Sequence, residues 1–148
     1  MTPPRFERRN IMATKSAGKF YTNATTAVAV NAAIPYGTSV TSGAIVPSTA
    51  RDTIGVTAPG LYYVAVNLTY IATAVGEVGA ALYADGAAVP GASALETLDA
   101  VGDAGSLSFA TLLTVKPSNP GDVAKLQVIN TGVASSYAVS NVIIYRIA

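Results

Sequence analysis

The side chains able to do chemistry are few, and their types narrow the choices before any element is placed. The 148-residue chain contains no histidine and no cysteine. That removes Cys/His zinc sites, thiol nucleophiles, haem ligation by histidine and every histidine-based catalytic triad. Carboxylates remain. Asp99, Asp103 and Asp122 fall in turn-like stretches and invite a calcium site, yet they lack the alternating oxygen ligands of an EF-hand loop. Solvated turn carboxylates are the plainer reading. Glu77 and Glu96 could supply the paired carboxyls of a glycosidase, but nothing in the sequence brings them together. No Gly-rich phosphate loop with its lysine is present. Asn23-Ala24-Thr25 and Asn67-Leu68-Thr69 match the glycosylation sequon. Both read as chance matches, since Asn67 is mid-strand and no secretion signal precedes them. Tyrosine, with eight residues, is the one plentiful recognition-type side chain. Tyr21, Tyr36, Tyr83 and Tyr137 are candidates for a rim that touches sugar or protein, against the ordinary role of capping sheet edges. No cofactor and no metal are expected.

The element that must organise these residues is the run Gly60-Leu61-Tyr62-Tyr63-Val64-Ala65-Val66-Asn67-Leu68-Thr69-Tyr70-Ile71. At period two, one face carries Tyr62, Val64, Val66, Leu68 and Tyr70, all large and apolar or aromatic. The other carries Leu61, Tyr63, Ala65, Asn67, Thr69 and Ile71. A strand with one apolar face and one mixed face belongs in the middle of a sheet. A neighbouring subunit is the expected cover for the mixed face. Composition points the same way: the chain is 51% hydrophobic and 11% charged, against about 25% charged in an ordinary soluble domain. So few charges favour an oligomer over a lone globule.

Around that strand the chain alternates short β-like runs with turn signals. Ala27-Val28-Ala29-Val30, with Ile34 ahead of Pro35, reads as a first strand, and residues 37–43 read as a turn. Ile45-Val46 and residues 53–57 are short strands, closed by Ala58-Pro59-Gly60. Val78, Ala80, Leu82 and Ala84 share one face of the strand after the long one, and Asp85-Gly86 is a hairpin cue. Ala87-Ala88-Val89 reads as a short return strand before Pro90-Gly91. Residues 92–104 permit a helical turn or an extended strand and loop, and we take strand and loop. Residues 107–115, 123–129 and 138–147 are the remaining strands, and residues 116–122 a loop. No segment sustains a 3.6-residue period. The expectation is an all-β chain of about eight to ten strands, a sandwich or a barrel.

Charge is unevenly placed. Residues 1–20 hold Arg5, Arg8, Arg9, Lys15 and Lys19 against Glu7, a net +4, whereas the rest holds four cations and seven acids, a net −3. Residues 1–19 are expected to be a flexible basic arm that anchors the domain of residues 20–148 to a larger partner. A solvated tail, or a true start at Met12, is the plainer alternative. Nucleic acid is not the expected partner. No apolar run reaches the roughly 18 residues of a membrane helix, so no membrane insertion is expected.

Three stretches together resemble a known family. Gly60-Leu61-Tyr62-Tyr63-Val64-Ala65-Val66 looks like the Gly-x-Tyr-x-Phe signature of complement-type globular heads, related to the tumour necrosis factor family. Leu112-Leu113-Thr114-Val115-Lys116-Pro117, running to Pro120-Gly121-Asp122, is similar to that family's Leu-x-Leu-x-x-Gly-Asp strand and turn. Val142-Ile143-Ile144-Tyr145 looks like its last strand, and the Ala80–Gly91 hairpin is similar to bacterial and phage members. The sequence departs from the pattern in three ways. Val64 and Val66 stand where vertebrate relatives tend to use aromatics, the loop before Gly121 is longer, and no Gly-X-Y stalk precedes the head. The resemblance implies a ten-stranded jelly-roll sandwich assembling as a compact homotrimer. On that basis Tyr63, Ala65, Asn67, Leu112, Val142 and Ile144 are expected at the threefold interface, with Ile143 and Tyr145 in the core.

The functional expectation is a non-enzymatic, trimeric knob displayed on a larger particle. A bacteriophage virion surface comes first, as a capsid decoration, head fibre or tail-associated attachment protein joined to the capsid or tail assembly through the arm. The alternatives are a module binding a cell-surface glycan or protein, and a spore-surface protein of the same fold.

Overall fold

The computed structural model describes residues 15–116 and 122–148. Among them are eleven strands and no helix. In chain order these are β1 (Ala17–Tyr21), β2 (Thr26–Val28), β3 (Thr38–Ser42), β4 (Ile45–Pro47), β5 (Ile54–Val56) and β6 (Gly60–Ile71). They are followed by β7 (Gly76–Ala84), β8 (Ala87–Leu98), β9 (Ala104–Val115), β10 (Ala124–Asn130) and β11 (Ser135–Arg146). One sheet runs β3-β1-β11-β6-β9, with β2 pairing the start of β11; the other runs β4-β5-β10-β7-β8. Every ladder is antiparallel. Antiparallel strands with one apolar face apiece can seal their core only by stacking two sheets, and that is the architecture here.

The core is the alternation of β6 met by its counterparts. Tyr62, Val64, Val66, Leu68 and Tyr70 are each at most 2% exposed. They share one core with Val78, Ala80 and Leu82 of β7 and Leu126 and Val128 of β10. Burying side chains of this size stabilises by about 1.5–3 kcal/mol each. Gly18 of β1 is required by the packing, because a Cβ there would lie 2.7 Å from Ile45 Cγ2 and 2.9 Å from the Phe20 ring. Asp85 and Gly86 both have positive φ (50° and 84°), which suits the two-residue hairpin between β7 and β8. The Asp85 carboxylate then accepts from the Lys125 N–H at 2.9 Å, tying the hairpin tip to β10.

Four expectations from the sequence need correcting. First, β1 starts at Ala17, so Lys19 lies inside a paired strand between β3 and β11 instead of in an arm. Arg5, Arg8 and Arg9 lie outside the described residues. Second, Thr38-Ser39-Val40-Thr41-Ser42 is a strand and not a turn. An edge strand needs no continuous apolar face, so its hydroxyl-rich sequence mimics a loop. Third, β8 does not stop at Pro90-Gly91. Ala88 pairs with Tyr83 and Ser93 with Ala81, so residues 89–92 leave the ladder and the strand rejoins it. A proline without an N–H is tolerated in such an excursion on an edge strand. Fourth, the first strand of the reading, residues 27–30, is only Thr26–Val28, and Ile34 is buried beside the bridge from Ala33 to Ile129.

Beneath the start of β11 lies a buried polar knot. Asn130 is fully buried, and its Nδ2 donates to the carbonyls of Val28, Ala29 and Val133 at 3.1–3.2 Å. Its Oδ1 accepts from Gly132 N at 3.0 Å and from the Tyr137 hydroxyl at 3.1 Å. A buried amide left unpaired would be costly, so this set fixes where β2, β10 and β11 meet.

Candidate interaction face

The side of the six-stranded sheet turned away from the core is built in rungs. One rung crosses Val40, Lys19, Ile143, Ala65 and Ala110, and the next crosses Ser42, Ala17, Tyr145, Tyr63 and Leu112. The Tyr63 and Tyr145 rings lie 5.2 Å apart at 37°, a tilted pair of the kind aromatic rings favour. Val40, Leu112 and Tyr145 are 64%, 58% and 43% exposed. A third rung is polar. The Ser108 hydroxyl donates to Asn67 Oδ1, and Asn67 Nδ2 donates to Asn141 Oδ1, both at 2.8 Å. Across the outward positions of β1, β3, β6, β9 and β11 the only charged residue is Lys19. Its ammonium sits 5.2 Å from the centroid of the Tyr21 ring, so even that charge is partly spoken for. Between Val40, Ala17, Ile143 and Tyr145 the face dips into an apolar hollow of about 300 Å³.

Of the six residues expected at an interface, Tyr63, Ala65, Asn67 and Leu112 lie on this face. Val142 and Ile144 do not. They are 2% and 0% exposed and belong to the core, while Ile143 and Tyr145, expected inside, point out. The cause is a β-bulge. Val139 opposes Leu68 and Asn141 opposes Asn67, which leaves Ser140 as an extra residue. Tyr137 and Val139 face inward before it, and the added residue flips the alternation behind it. Sequence reasoning therefore missed Asn141, Ile143 and Tyr145 as outward residues. A signal was present: unbroken alternation from Tyr137 would have driven the Asn141 amide into the core.

The residues singled out for chemistry are scattered. Asp99, Asp103 and Asp122 are exposed, and among the described residues no group of three or more acidic side chains could hold a metal ion. Glu77 and Glu96 occupy neighbouring positions of the β7–β8 ladder on opposite faces. Glu96 instead accepts a hydrogen bond from the Tyr70 hydroxyl, joining the two sheets at their open edge. Burial, then that bond and the Glu96 charge, push the Tyr70 phenol up to about 12. Burial likewise raises the Tyr62 and Tyr137 phenols. Tyr36 and Tyr137, expected at a rim, are core residues. The Tyr36 hydroxyl donates to Thr53 O at 2.7 Å and accepts from Ser48 N at 3.0 Å. Among the described residues no helix is long and apolar enough to cross a membrane.

No protein-family model and no curated protein sequence matches the chain. Solved structures do match in shape. Eiger TNF from S. frugiperda superposes with a TM-score of 0.69 at 16% identity, covering 91% of this chain and 94% of that one. The globular domain of zebrafish complement 1qA protein gives 0.65 at 12% identity, covering 90% and 98%. Murine APRIL gives 0.64 at 10% identity, covering 90% and 99%. At such identities the likeness speaks for architecture alone. The chain has the tumour necrosis factor-like jelly-roll fold.

Proposed function

We propose that this protein is a non-enzymatic interaction module that assembles as a homotrimer through the outward face of its six-stranded sheet. The observation that carries this reading is that face itself: five strands wide, with exposed Leu112, Val40 and Tyr145 and a single charge. Contiguous apolar surface of this kind marks an interface more often than bare surface. The face is also lopsided. Leu112 and Tyr63 stand on the β6–β9 half, whereas the hollow beside Val40 lies on the β1–β3 half. Unlike halves favour a head-to-tail ring, in which a projection on one copy enters the depression on the next. The motif resemblance implies three copies in that ring.

The finer reading keeps the particle. In this reading the trimer is a bacteriophage virion component, displayed on a capsid or tail and tethered through the basic N-terminal segment, where Arg5, Arg8, Arg9 and Lys15 cluster. Support comes from that charge gradient and from the bacterial style of the Asp85-Gly86 hairpin. Sedimentation equilibrium or native mass measurement of the full chain tests the assembly, and a monomer at micromolar concentration defeats it. Removal of residues 1–14, which leaves β1 whole, tests the tether. A truncated trimer that still joins the particle defeats that part alone.

A further inference from the structure

At the opposite edge of the sandwich from β8 and β9, the two sheets splay where β3 faces β4. The register Phe20 to Ser39 gives Ser39 an inward position, yet it carries a hydroxyl where core packing would want an apolar group. Behind it opens a cleft of about 460 Å³ between residues 37–39 and the turn that follows β4. That volume lies within the roughly 300–1,000 Å³ of small-molecule pockets. The wall is hydrophilic: Ser39 and Thr49 bring hydroxyls with no hydrogen-bond partner among the described residues, and Arg51 brings a guanidinium.

Arg51 is held there deliberately. Its φ is 59°, the left-handed region in which glycine is the inexpensive choice. The turn enforces this: Arg51 N donates to Ser48 O at 3.1 Å, and Tyr36 N donates to Arg51 O at 2.8 Å. Arg51 Nη1 donates to Gly37 O at 2.7 Å, which spans the cleft mouth and leaves the remaining N–H groups uncommitted among the described residues. Among the described residues Arg51 forms no ion pair; the adjacent Asp52 Oδ1 accepts from the hydroxyls of Thr53 at 3.0 Å and Ser48 at 3.4 Å instead. The result, among the described residues, is a positioned guanidinium without an acidic partner beside unpaired hydroxyls, with no aromatic ring in the lining.

We propose that this cleft binds an acidic saccharide, with Arg51 pairing its carboxylate or sulfate and the Ser39 and Thr49 hydroxyls taking ring hydroxyls. An arginine fork suits a planar oxyanion, and the lack of an aromatic stacking platform disfavours a neutral sugar. The site goes beyond the oligomer reading and stands without it, because none of its lining residues lines the hollow beside Val40 or belongs to the Tyr63–Leu112 rung.

The test is an amide chemical-shift titration of the full chain with glucuronate, glucose and sodium sulfate at constant ionic strength. Glucuronate should saturate, with shifts confined to residues 37–39 and 48–51. Glucose should not saturate, and sulfate should compete with lower affinity. Arg51→Gly relieves the left-handed backbone, so the fold should persist while glucuronate affinity falls about tenfold or more. Ser39→Ala should weaken glucuronate but not sulfate. Failure of glucuronate to saturate at tens of millimolar, equal binding of glucose, or an undiminished Arg51→Gly overturns the site. Equal affinities for sulfate and glucuronate overturn the saccharide assignment.

Discussion

The two faces of β6 share a backbone, a period and much of their chemistry, and they meet opposite fates. Tyr62, Val64, Val66, Leu68 and Tyr70 are sealed by the second sheet of the same chain. Tyr63, Ala65 and Asn67, one residue away in each case, look outward beside Tyr145, Ile143 and Leu112. The inner face is uniformly apolar because nothing there competes with packing. The outer face interrupts its apolar rungs with the Ser108–Asn67–Asn141 chain of hydrogen bonds. Such a rung pairs both ends of the Asn67 amide within the sheet, so among its amide groups only the Asn141 Nδ2 needs an acceptor from whatever covers it. The difference teaches that alternation identifies the buried face of a strand, while the pairing of polar groups on the other face tells whether it is fit to be covered.

Interventions on that contrast should differ in size. Deleting Ile143, past the bulge, has the largest expected effect: Ile144 and Arg146 would turn outward and Tyr145 inward, whereas deleting Ser140 itself would keep the facing as it is. Loss of cooperative unfolding, read by circular dichroism and calorimetry, is the outcome expected. Leu68→Ala, on the sealed face, should lower the unfolding free energy by about 2–5 kcal/mol in urea titrations. Leu112→Asp should change the stability of the single chain by no more than about 0.5 kcal/mol, since the position is exposed. It should nonetheless convert the proposed trimer to monomer in sedimentation, because a carboxylate would have to be buried in the apolar hollow of the next copy. A folded Leu112→Asp trimer would move the interface elsewhere.

The smallest expected effect is on pH dependence. Tyr70 keeps its proton in the folded chain up to about 12, against 10.0 when unfolded. Between those values the unfolded chain has released a proton that the folded chain retains, so stability is full below pH 10 and declines as pH rises toward 12. The raised Tyr62 and Tyr137 phenols act in the same sense. Tyr70→Phe should make that decline shallower in denaturant melts between pH 9 and pH 12. An unchanged slope would show that Tyr70 titrates alike in both states.

Much of the sandwich was legible because its central strands obey strict alternation. The β6 boundaries, the Val78-Ala80-Leu82 face and the Asp85-Gly86 turn could all be read from local pattern alone. Edge strands escaped, since β3 is stabilised by its ladder to β1 and not by a burial pattern of its own. Lys19 misled in a related way: a cation reads as solvent-facing tail, but an outward position in a paired strand is solvent-facing too. The interaction face was half legible. Tyr63, Ala65, Asn67 and Leu112 follow from strands whose phase is unbroken, whereas Val142 and Ile144 lie beyond a bulge, where a phase carried along the chain is wrong by one residue. Arg51 left no sequence signal, because its importance comes from a left-handed turn brought against β3 from another part of the chain.

The placement of β11 has a consequence for timing. It lies between β1 and β6 and also receives β2, so β2 and one side of β1 wait for β11 before their hydrogen bonds can close. On a ribosome, β6 and β9 can form their long ribbon early and β1 can pair with β3, while β2 has no ladder partner and β1 lacks its second one until residues 135–146 emerge. The two halves of this sheet thus join only once β11 has been made, with the slow kinetics of long-range closure. During that interval the uncharged flank of β9 is exposed to other nascent copies. Cells making this protein in quantity should therefore hold its chains apart until each is complete, and chaperone depletion during a synthesis pulse should redirect it from soluble product into aggregates.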